Sequence, residues 1–217
     1  MLRRCLAVVA LLALSACNRV VTDHPLFDQA DAIGAPVLKP GVWLLENKDS
    51  LSLMEDRDSD APCEVDRRDR PSRWPECATF VVIEPGQIRS PTRDEGQRLD
   101  WDRQLSLLAA GDPVVLQVGD VDDKGEQSNL YFGVRPTTFA ADGQVTALDL
   151  WTVDCGPPPP QDAGQPTRYL TWELLPGLTA AKDNCTTESA EAVRRAATAS
   201  LSWQTPGRMV WAADRYR

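Results

Sequence analysis

Cysteine thiols have the widest chemistry of any side chains in this sequence. The chain of 217 residues contains six of them: Cys5, Cys17, Cys63, Cys77, Cys155 and Cys185. A thiol can form a disulfide, ligate a metal ion or act as a nucleophile. Metal binding is disfavoured because no Cys-x-x-Cys pair is present and the single histidine, His24, precedes the predicted domain. A Ser or Cys nucleophile would also lack a histidine base there. We therefore predict no catalytic residues, no metal and no cofactor.

The first 16 residues have the three zones of an export leader. Arg3 and Arg4 supply the positive start, residues 5–14 are apolar, and Ser15 and Ala16 are small. The apolar stretch is shorter than the ~20 residues that span a bilayer as a helix. We therefore predict that residues 1–16 are a signal peptide.

The end of this leader resembles a lipobox. The sequence Leu14-Ser15-Ala16-Cys17 is similar to the motif of bacterial lipoprotein precursors. In that class a diacylglycerol is attached to the cysteine sulfur, the leader is cut before it, and the new amino terminus is acylated. The resemblance implies that Cys17 is lipidated and anchors the protein to a membrane, since each buried CH₂ contributes ~0.8 kcal/mol. In enterobacterial members an aspartate at the next position retains the protein at the inner membrane. Asn18 therefore implies the outer membrane, with the protein facing the periplasm.

Four cysteines remain after Cys5 is removed with the leader and Cys17 is lipidated: Cys63, Cys77, Cys155 and Cys185. An even number of cysteines in an exported chain indicates disulfides. Three pairings are possible. We favour Cys63–Cys77 with Cys155–Cys185, because both bonds close local loops and each would stabilise the fold by roughly 3–4 kcal/mol.

The exported chain is acidic. The 217 residues less the 16 of the leader leave 201, which suits a single domain. The leader contains Arg3, Arg4 and no acid, so its removal lowers the formal net charge from −9 to −11. We predict no nucleic-acid partner, because binding to phosphates requires clustered cations.

Tryptophans outside the apolar runs are candidate ligand contacts. The chain has seven tryptophans, and those in strands are expected to fill a core. Trp74 and Trp101 instead lie in the polar stretches PSRWPEC and RLDWDRQ, where an indole could stack on a sugar or a peptide. Arg73 beside Trp74 could bind a carboxylate or phosphate. We take Arg73, Trp74 and Trp101 as candidate ligand-binding residues, with the loop 63–77 as the contact surface and ordinary loop packing as the alternative.

Hydrophobic patterning predicts a single β-rich domain over residues 41–217, preceded by a lipidated N-terminus and an extended, proline-containing tether at 17–40. Turns at Gly111-Asp112-Pro113 and Asp142-Gly143 predict two hairpins. The predicted strands are 41–46, 78–84, 103–110, 114–119, 129–139, 144–153, 168–175 and 208–214.

One helix is predicted at about 187–202, capped by Thr186 or Thr187. Glu191 and Arg195 have the i, i+4 spacing of a surface ion pair. One face carries four apolar residues, namely Ala190, Val193, Ala197 and Leu201. The predicted fold class is α+β, a mostly antiparallel sandwich or barrel with one C-terminal helix.

The function that these patterns favour is a non-enzymatic binding or structural role towards an envelope protein or glycan. Two alternatives stay open. An enzyme acting on envelope glycan would need two carboxylates in one cleft, for which Glu46 and Glu84 are candidates. A small-ligand carrier would need a barrel with an apolar cavity.

Overall fold

The computed structural model describes residues 18–45, 80–93, 99–121, 125, 127–158, 173–181 and 184–215. These residues contain eleven strands and one helix. The strands are β1 (Val21–Thr22), β2 (Gly41–Leu45), β3 (Phe80–Glu84), β4 (Gln87–Arg93), β5 (Leu99–Ala109), β6 (Val114–Val121), β7 (Gln127–Phe139), β8 (Val145–Thr152), β9 (Thr179–Ala180), β10 (Cys185–Thr186) and β11 (Gly207–Ala213). The helix is α1 (Ala190–Ser200).

Eight strands close into a barrel whose neighbouring strands are all antiparallel. Strands β2 to β8 follow one another around the barrel in sequence order, and β11 lies between β8 and β2. Trp211 on β11 is the register partner of Trp43 on β2, and Met209 is the partner of Leu148 on β8. The predicted mostly antiparallel fold with one C-terminal helix is therefore confirmed, and the architecture is a barrel.

Side chains alternate between the inside and the outside of the barrel, as the period of two requires. The inner face carries one buried apolar cluster, which comprises Trp43, Val81, Ile83, Ile88, Leu116, Val118, Phe132, Val134, Val145, Leu148, Leu150 and Met209. Eight strands enclose an interior about as wide as the side chains that fill it. The cluster is thus the core of the barrel.

Helix α1 packs on the outside of the barrel, over β7 and β8. It buries Ala192, Val193, Ala196, Ala197 and Ser200. The indole of Trp151 on β8 donates a hydrogen bond from Nε1 to the carbonyl oxygen of Ala197, at 2.8 Å. Gly133 on β7 makes room for this indole, because a Cβ there would overlap it. The helix is therefore held to the barrel by small apolar residues and one buried indole.

The two ends of the barrel differ in their connections. The short-turn end carries the turns between β3 and β4, β5 and β6, and β7 and β8. The long-loop end carries the connections 46–79 and 153–206, the second of which includes α1. Within the described residues, no helix has the length and apolar character needed to cross a membrane.

The N-terminal segment lies along the barrel, whereas the sequence suggested a tether at 17–40. Val20 is fully buried and Phe27 keeps 3% of its surface exposed. Strand β1 pairs with β7, and Leu38 forms a parallel bridge with Val145. Residues 18–40 therefore belong to the folded domain, although their proline content is typical of an extended linker.

Four further details differ from the sequence prediction. Strand β4 was not predicted, because it is polar and contains Pro91. Trp101 lies in β5 and not in a loop. Ser189 caps α1, since its side chain accepts the N–H of Ala192. Residues 173–175 form no strand, while the rest of the predicted strand 168–175 lies outside the described residues.

Candidate functional site

Polar side chains collect on the inner face, from the middle of the barrel to its long-loop end. They are Ser90, Asp102, Gln104, Ser106, Ser128 and Thr152, and we call this set the polar rim. Strand register places them inside, because Gln104 is the partner of Ile88 and Ser106 is the partner of Val118. Gln104 Nε2 lies 3.4 Å from Asp102 Oδ2. Five members of the rim are half-buried and Thr152 is buried. The rim therefore places polar groups at the long-loop opening of the barrel, which we call the mouth, next to an apolar interior.

A hydrogen-bond network surrounds Asp154, just beyond the end of β8. Its Oδ2 accepts hydrogen bonds from Gln204 Nε2 at 2.7 Å and from Trp203 Nε1 at 3.2 Å. Its backbone N–H donates to Ser200 Oγ at 2.9 Å. Gln204 Nε2 also donates to the carbonyl oxygen of Thr152. The network thus connects the end of β8 to the end of α1 and the segment that follows.

Burial raises the pKa of the Asp154 carboxyl, and the hydrogen bonds from Trp203, Thr152 and Gln204 and the charge of Arg19 oppose this effect. Thr152 Oγ1 lies 3.0 Å from both Asp154 Oδ1 and Gln204 Oε1. A hydroxyl has one hydrogen to donate, so the two oxygens share it.

The N-terminal junction is the place where the first described residues meet the disulfide. Cys155 and Cys185 are joined, which confirms one of the two disulfides that loop closure favoured; the other, Cys63–Cys77, lies outside the described residues. Their backbone N–H groups donate to the carbonyl oxygens of Asn18 and Arg19, at 2.9 and 3.2 Å. Asn18 Nδ2 donates to the carbonyl oxygen of Gly156 at 3.0 Å. The junction is therefore fixed by backbone bonds on both sides of the disulfide.

The middle of the barrel is filled by side chains. Trp43 has no exposed surface, and its Nε1 donates to the carbonyl oxygen of Lys39 at 2.9 Å. Phe132 and Met209 keep 7% and 9% of their surface. A space large enough for a ligand would leave accessible surface on the side chains that line it. The barrel fold is compatible with a binding or carrier role.

Trp101 is the one predicted ligand-binding residue within the described part of the chain. It lies on the outer face of β5 and is half-buried. Its ring meets Phe80 edge-on at 6.1 Å, and the guanidinium of Arg89 lies 5.3 Å from the ring centroid. Trp101 therefore packs on the outside of the barrel, away from the polar rim.

The other predicted site residues lie outside the described residues. They are Cys17, Cys63, Arg73, Trp74 and Cys77, together with the glycosidase candidate Glu46. Glu84, the second candidate acid, ends β3 and forms an ion pair with Arg89 at 2.6 Å. In the described ranges, no group of three or more His, Cys, Asp or Glu residues is placed to hold a metal ion.

Sequence reasoning missed the polar rim and the Asp154 network. Alternation along β5 could have placed Asp102, Gln104 and Ser106 on one face, but the polar residues of this strand gave no sign that the face points inwards. Nothing in the sequence links Gln204 to Asp154, because the helix and its flanking segments separate them.

Fold and junction together define an eight-stranded antiparallel barrel protein whose N-terminal segment is hydrogen-bonded to both cysteines of a disulfide. No family model, no curated protein and no solved structure matches the chain.

Proposed function

We propose that this chain is a lipoprotein of the bacterial outer membrane, anchored through Cys17 and facing the periplasm. Its barrel binds an envelope glycan and catalyses no reaction. The lipobox resemblance supports the anchor and the address. The polar rim supports the binding role, and it is the single observation on which the choice of glycan depends.

The chemistry of the rim suits a sugar. Its carboxylate, amide and hydroxyl groups both donate and accept hydrogen bonds, as sugar hydroxyls do. They are half-buried at the mouth of a barrel, where a few polar groups can orient a ligand against an apolar wall. The filled interior favours binding at the mouth over a carrier function. Glu84 is paired with Arg89 on the outer face, which disfavours the proposed carboxylate enzyme.

Binding of glycan to the full chain tests this function. Two probes are needed, soluble peptidoglycan fragments and the sugar headgroups of membrane glycolipids. We expect Gln104→Ala to weaken binding of the recognised glycan at least tenfold. Gln127→Ala is the matched control, because Gln127 is an exposed glutamine at the same end of the barrel and should change binding less than twofold.

Two results would contradict the glycan assignment. One is the absence of saturable binding to either probe by the wild-type protein. The other is an equal effect of Gln104→Ala and Gln127→Ala. Loss of binding to one purified envelope protein on Gln104→Ala, without any glycan binding, would favour the protein ligand instead.

Metabolic labelling with a palmitate analogue tests the anchor separately. The wild-type precursor should take up label and fractionate with the outer membrane, whereas Cys17→Ser should do neither. A Cys17→Ser protein that still takes up label would overturn the lipid assignment.

A further inference from the structure

The polar rim contains one charged side chain, that of Asp102. It is half-buried on β5, and the residue directly opposite on β4 is Ser90. Residues opposed across an antiparallel pair have Cβ atoms about 4.5–5.5 Å apart, so the hydroxyl and the carboxylate are neighbours on the inner face. Gln104 brings its Nε2 to 3.4 Å from Asp102 Oδ2. The carboxylate therefore has a neutral polar group on each side that can bond to the same ligand.

Asp102 has no cationic partner in the part of the chain that the structure describes. The ion pairs of those residues all involve other acids. The contact with Gln104 is longer than the ~2.7–3.2 Å that is usual for an N–H···O bond. A half-buried carboxylate has lost part of its hydration, and a bond to a cation compensates it better than a bond to a neutral group. Asp102 is therefore suited to pair with a positive charge on a ligand.

The charges of the barrel wall are segregated by sign. Adjacent residues of a strand point to opposite faces, and each arginine whose side chain is described in these strands adjoins a residue of the inner cluster or the rim. The arginines therefore lie on the outer face. They are Arg89, Arg103, Arg135 and Arg208.

The inward positions carry acids instead. The backbone register assigns two further aspartates to positions of the same parity as the rim: Asp100 is the partner of Thr92, and Asp120 is the partner of Ser128. Among the described strand positions, no Lys or Arg has this parity. A concave surface lined by one sign of charge attracts ligands of the opposite sign. The mouth should therefore favour a cationic ligand over a neutral one.

We propose that the rim recognises an amino sugar whose amine is free and protonated, with the ammonium group on Asp102 and the neighbouring hydroxyls on Ser90 and Gln104. The inference rests on the proposed glycan site and narrows its ligand to one chemical class. An N-acetylated sugar would place a neutral amide against the carboxylate and leave the charge of Asp102 without a partner, which weakens binding.

Two oligosaccharides that differ only in acetylation test the inference on the full chain. They are the β-1,4-linked hexamers of glucosamine and of N-acetylglucosamine, compared by titration calorimetry at pH 6, where the free amines carry a proton. We expect the wild-type protein to bind the glucosamine hexamer at least tenfold more tightly. The same comparison on peptidoglycan fragments and glycolipid headgroups, with and without deacetylation, identifies the source of the sugar.

Asp102→Asn removes the charge and keeps the shape of the side chain. It should weaken binding of the glucosamine hexamer at least tenfold and change binding of the N-acetylated hexamer less than twofold. Asp149→Asn is the matched control, because Asp149 is a half-buried strand aspartate on the outer face, and its replacement changes the net charge equally. This control should keep the tenfold preference, which separates a local ion pair from general attraction to an acidic protein. Urea titrations show that both variants fold.

Equal affinity for the two hexamers would overturn the inference. A preference that survives Asp102→Asn, or that Asp149→Asn removes to the same extent, would also overturn it. If the N-acetylated hexamer binds as tightly and Gln104→Ala weakens it, the glycan site stands and only the amine assignment fails. The absence of binding to every one of these sugars contradicts the glycan function and the amine assignment together.

Discussion

Cys155 donates its backbone N–H to the carbonyl oxygen of Asn18 at 2.9 Å, so one half of the disulfide holds the first described residue. Cys185, the other half, holds Arg19 in the same way, at 3.2 Å. The disulfide thus joins two segments that are both hydrogen-bonded to the residues ahead of β1. Its position explains why residues that resemble a linker in sequence belong to the fold.

Removal of this disulfide should destabilise the protein. The bond joins residues 30 positions apart, and closing a loop of that length stabilises by about 3–4 kcal/mol in the chain-entropy model. We expect the Cys155→Ser, Cys185→Ser double variant to lose a free energy of unfolding of that order in urea titrations. Ser202→Ala, an exposed change near the end of α1, is the control. An unchanged urea midpoint for the double variant would contradict the prediction.

Arg194 should matter more than its neighbour Arg195. The Arg194 guanidinium donates to the carbonyl oxygen of Ala110 at 2.6 Å and lies 4.8 Å from the ring centroid of Phe27. Hydrogen bonds from charged groups contribute about 1.5–3 kcal/mol when partly buried. Arg194→Ala should therefore lower the free energy of unfolding by about 2 kcal/mol, because it releases α1 from the β5–β6 turn and the N-terminal segment.

Arg195→Ala is the matched control for that variant. Arg195 forms an exposed ion pair with Glu191 at 3.3 Å, as its spacing predicted, and such pairs contribute at most about 0.5 kcal/mol. Chemical denaturation measures the free energy of unfolding of both variants. Similar losses in the free energy of unfolding for the two variants would show that the contacts of Arg194 do not stabilise the packing of α1.

Much of the fold could be predicted from local sequence patterns. The alternation in residues 114–119 and the Asp142-Gly143 turn led to two hairpins, and both are present as β5–β6 and β7–β8. Closure of the barrel could not be predicted, since the pairing of β11 with both β2 and β8 joins distant residues. Strand β4 was missed because Pro91 weakens a strand pattern that tertiary pairing with Trp101 restores.

The candidate site was less accessible to sequence reasoning. The Cys155–Cys185 pairing could be predicted from loop closure, because the length of the closed loop can be read from the sequence without knowing the fold. The contact between Asp154 and Gln204 could not be predicted in this way, because it forms only when α1 packs back over the barrel. Trp101 was expected at an exposed loop, and its polar neighbours concealed that Phe80 and Arg89 meet it across the sheet.

Trp43 should be the most sensitive position of the barrel core. Its side chain has no exposed surface and is among the largest fully buried side chains of the described residues. Replacing a buried tryptophan with alanine costs about 3–5 kcal/mol through lost burial and the cavity left behind. In urea titrations, the loss in free energy of unfolding for Trp43→Ala should therefore fall in that range. Leu105→Ala, at a position that is 72% exposed, should change stability by less than about 0.5 kcal/mol.

Asp154 should make the stability of the protein depend on pH. Burial raises the pKa of its carboxyl in the folded state, so the fold binds the proton more tightly than the unfolded chain does. This contribution to stability is complete below the unfolded pKa of about 3.9 and is lost as the pH rises through the folded pKa. The protein should therefore lose part of its free energy of unfolding between acid and neutral pH through this one group.

Asp154→Asn should remove that dependence and keep the network. The amide oxygen can accept from Trp203 and Gln204, while the amide nitrogen can donate to Thr152 Oγ1, as the protonated acid would. We expect Asp154→Asn to be at least as stable as wild type at pH 7 and to lose that advantage at pH 4, in urea titrations at both values. Asp154→Ala should instead cost about 1–3 kcal/mol at either pH, because it leaves buried donors without an acceptor. The prediction would be wrong if the stability of the wild type relative to Asp154→Asn increased as the pH rises. A carboxyl whose pKa is lowered in the folded state would give that result.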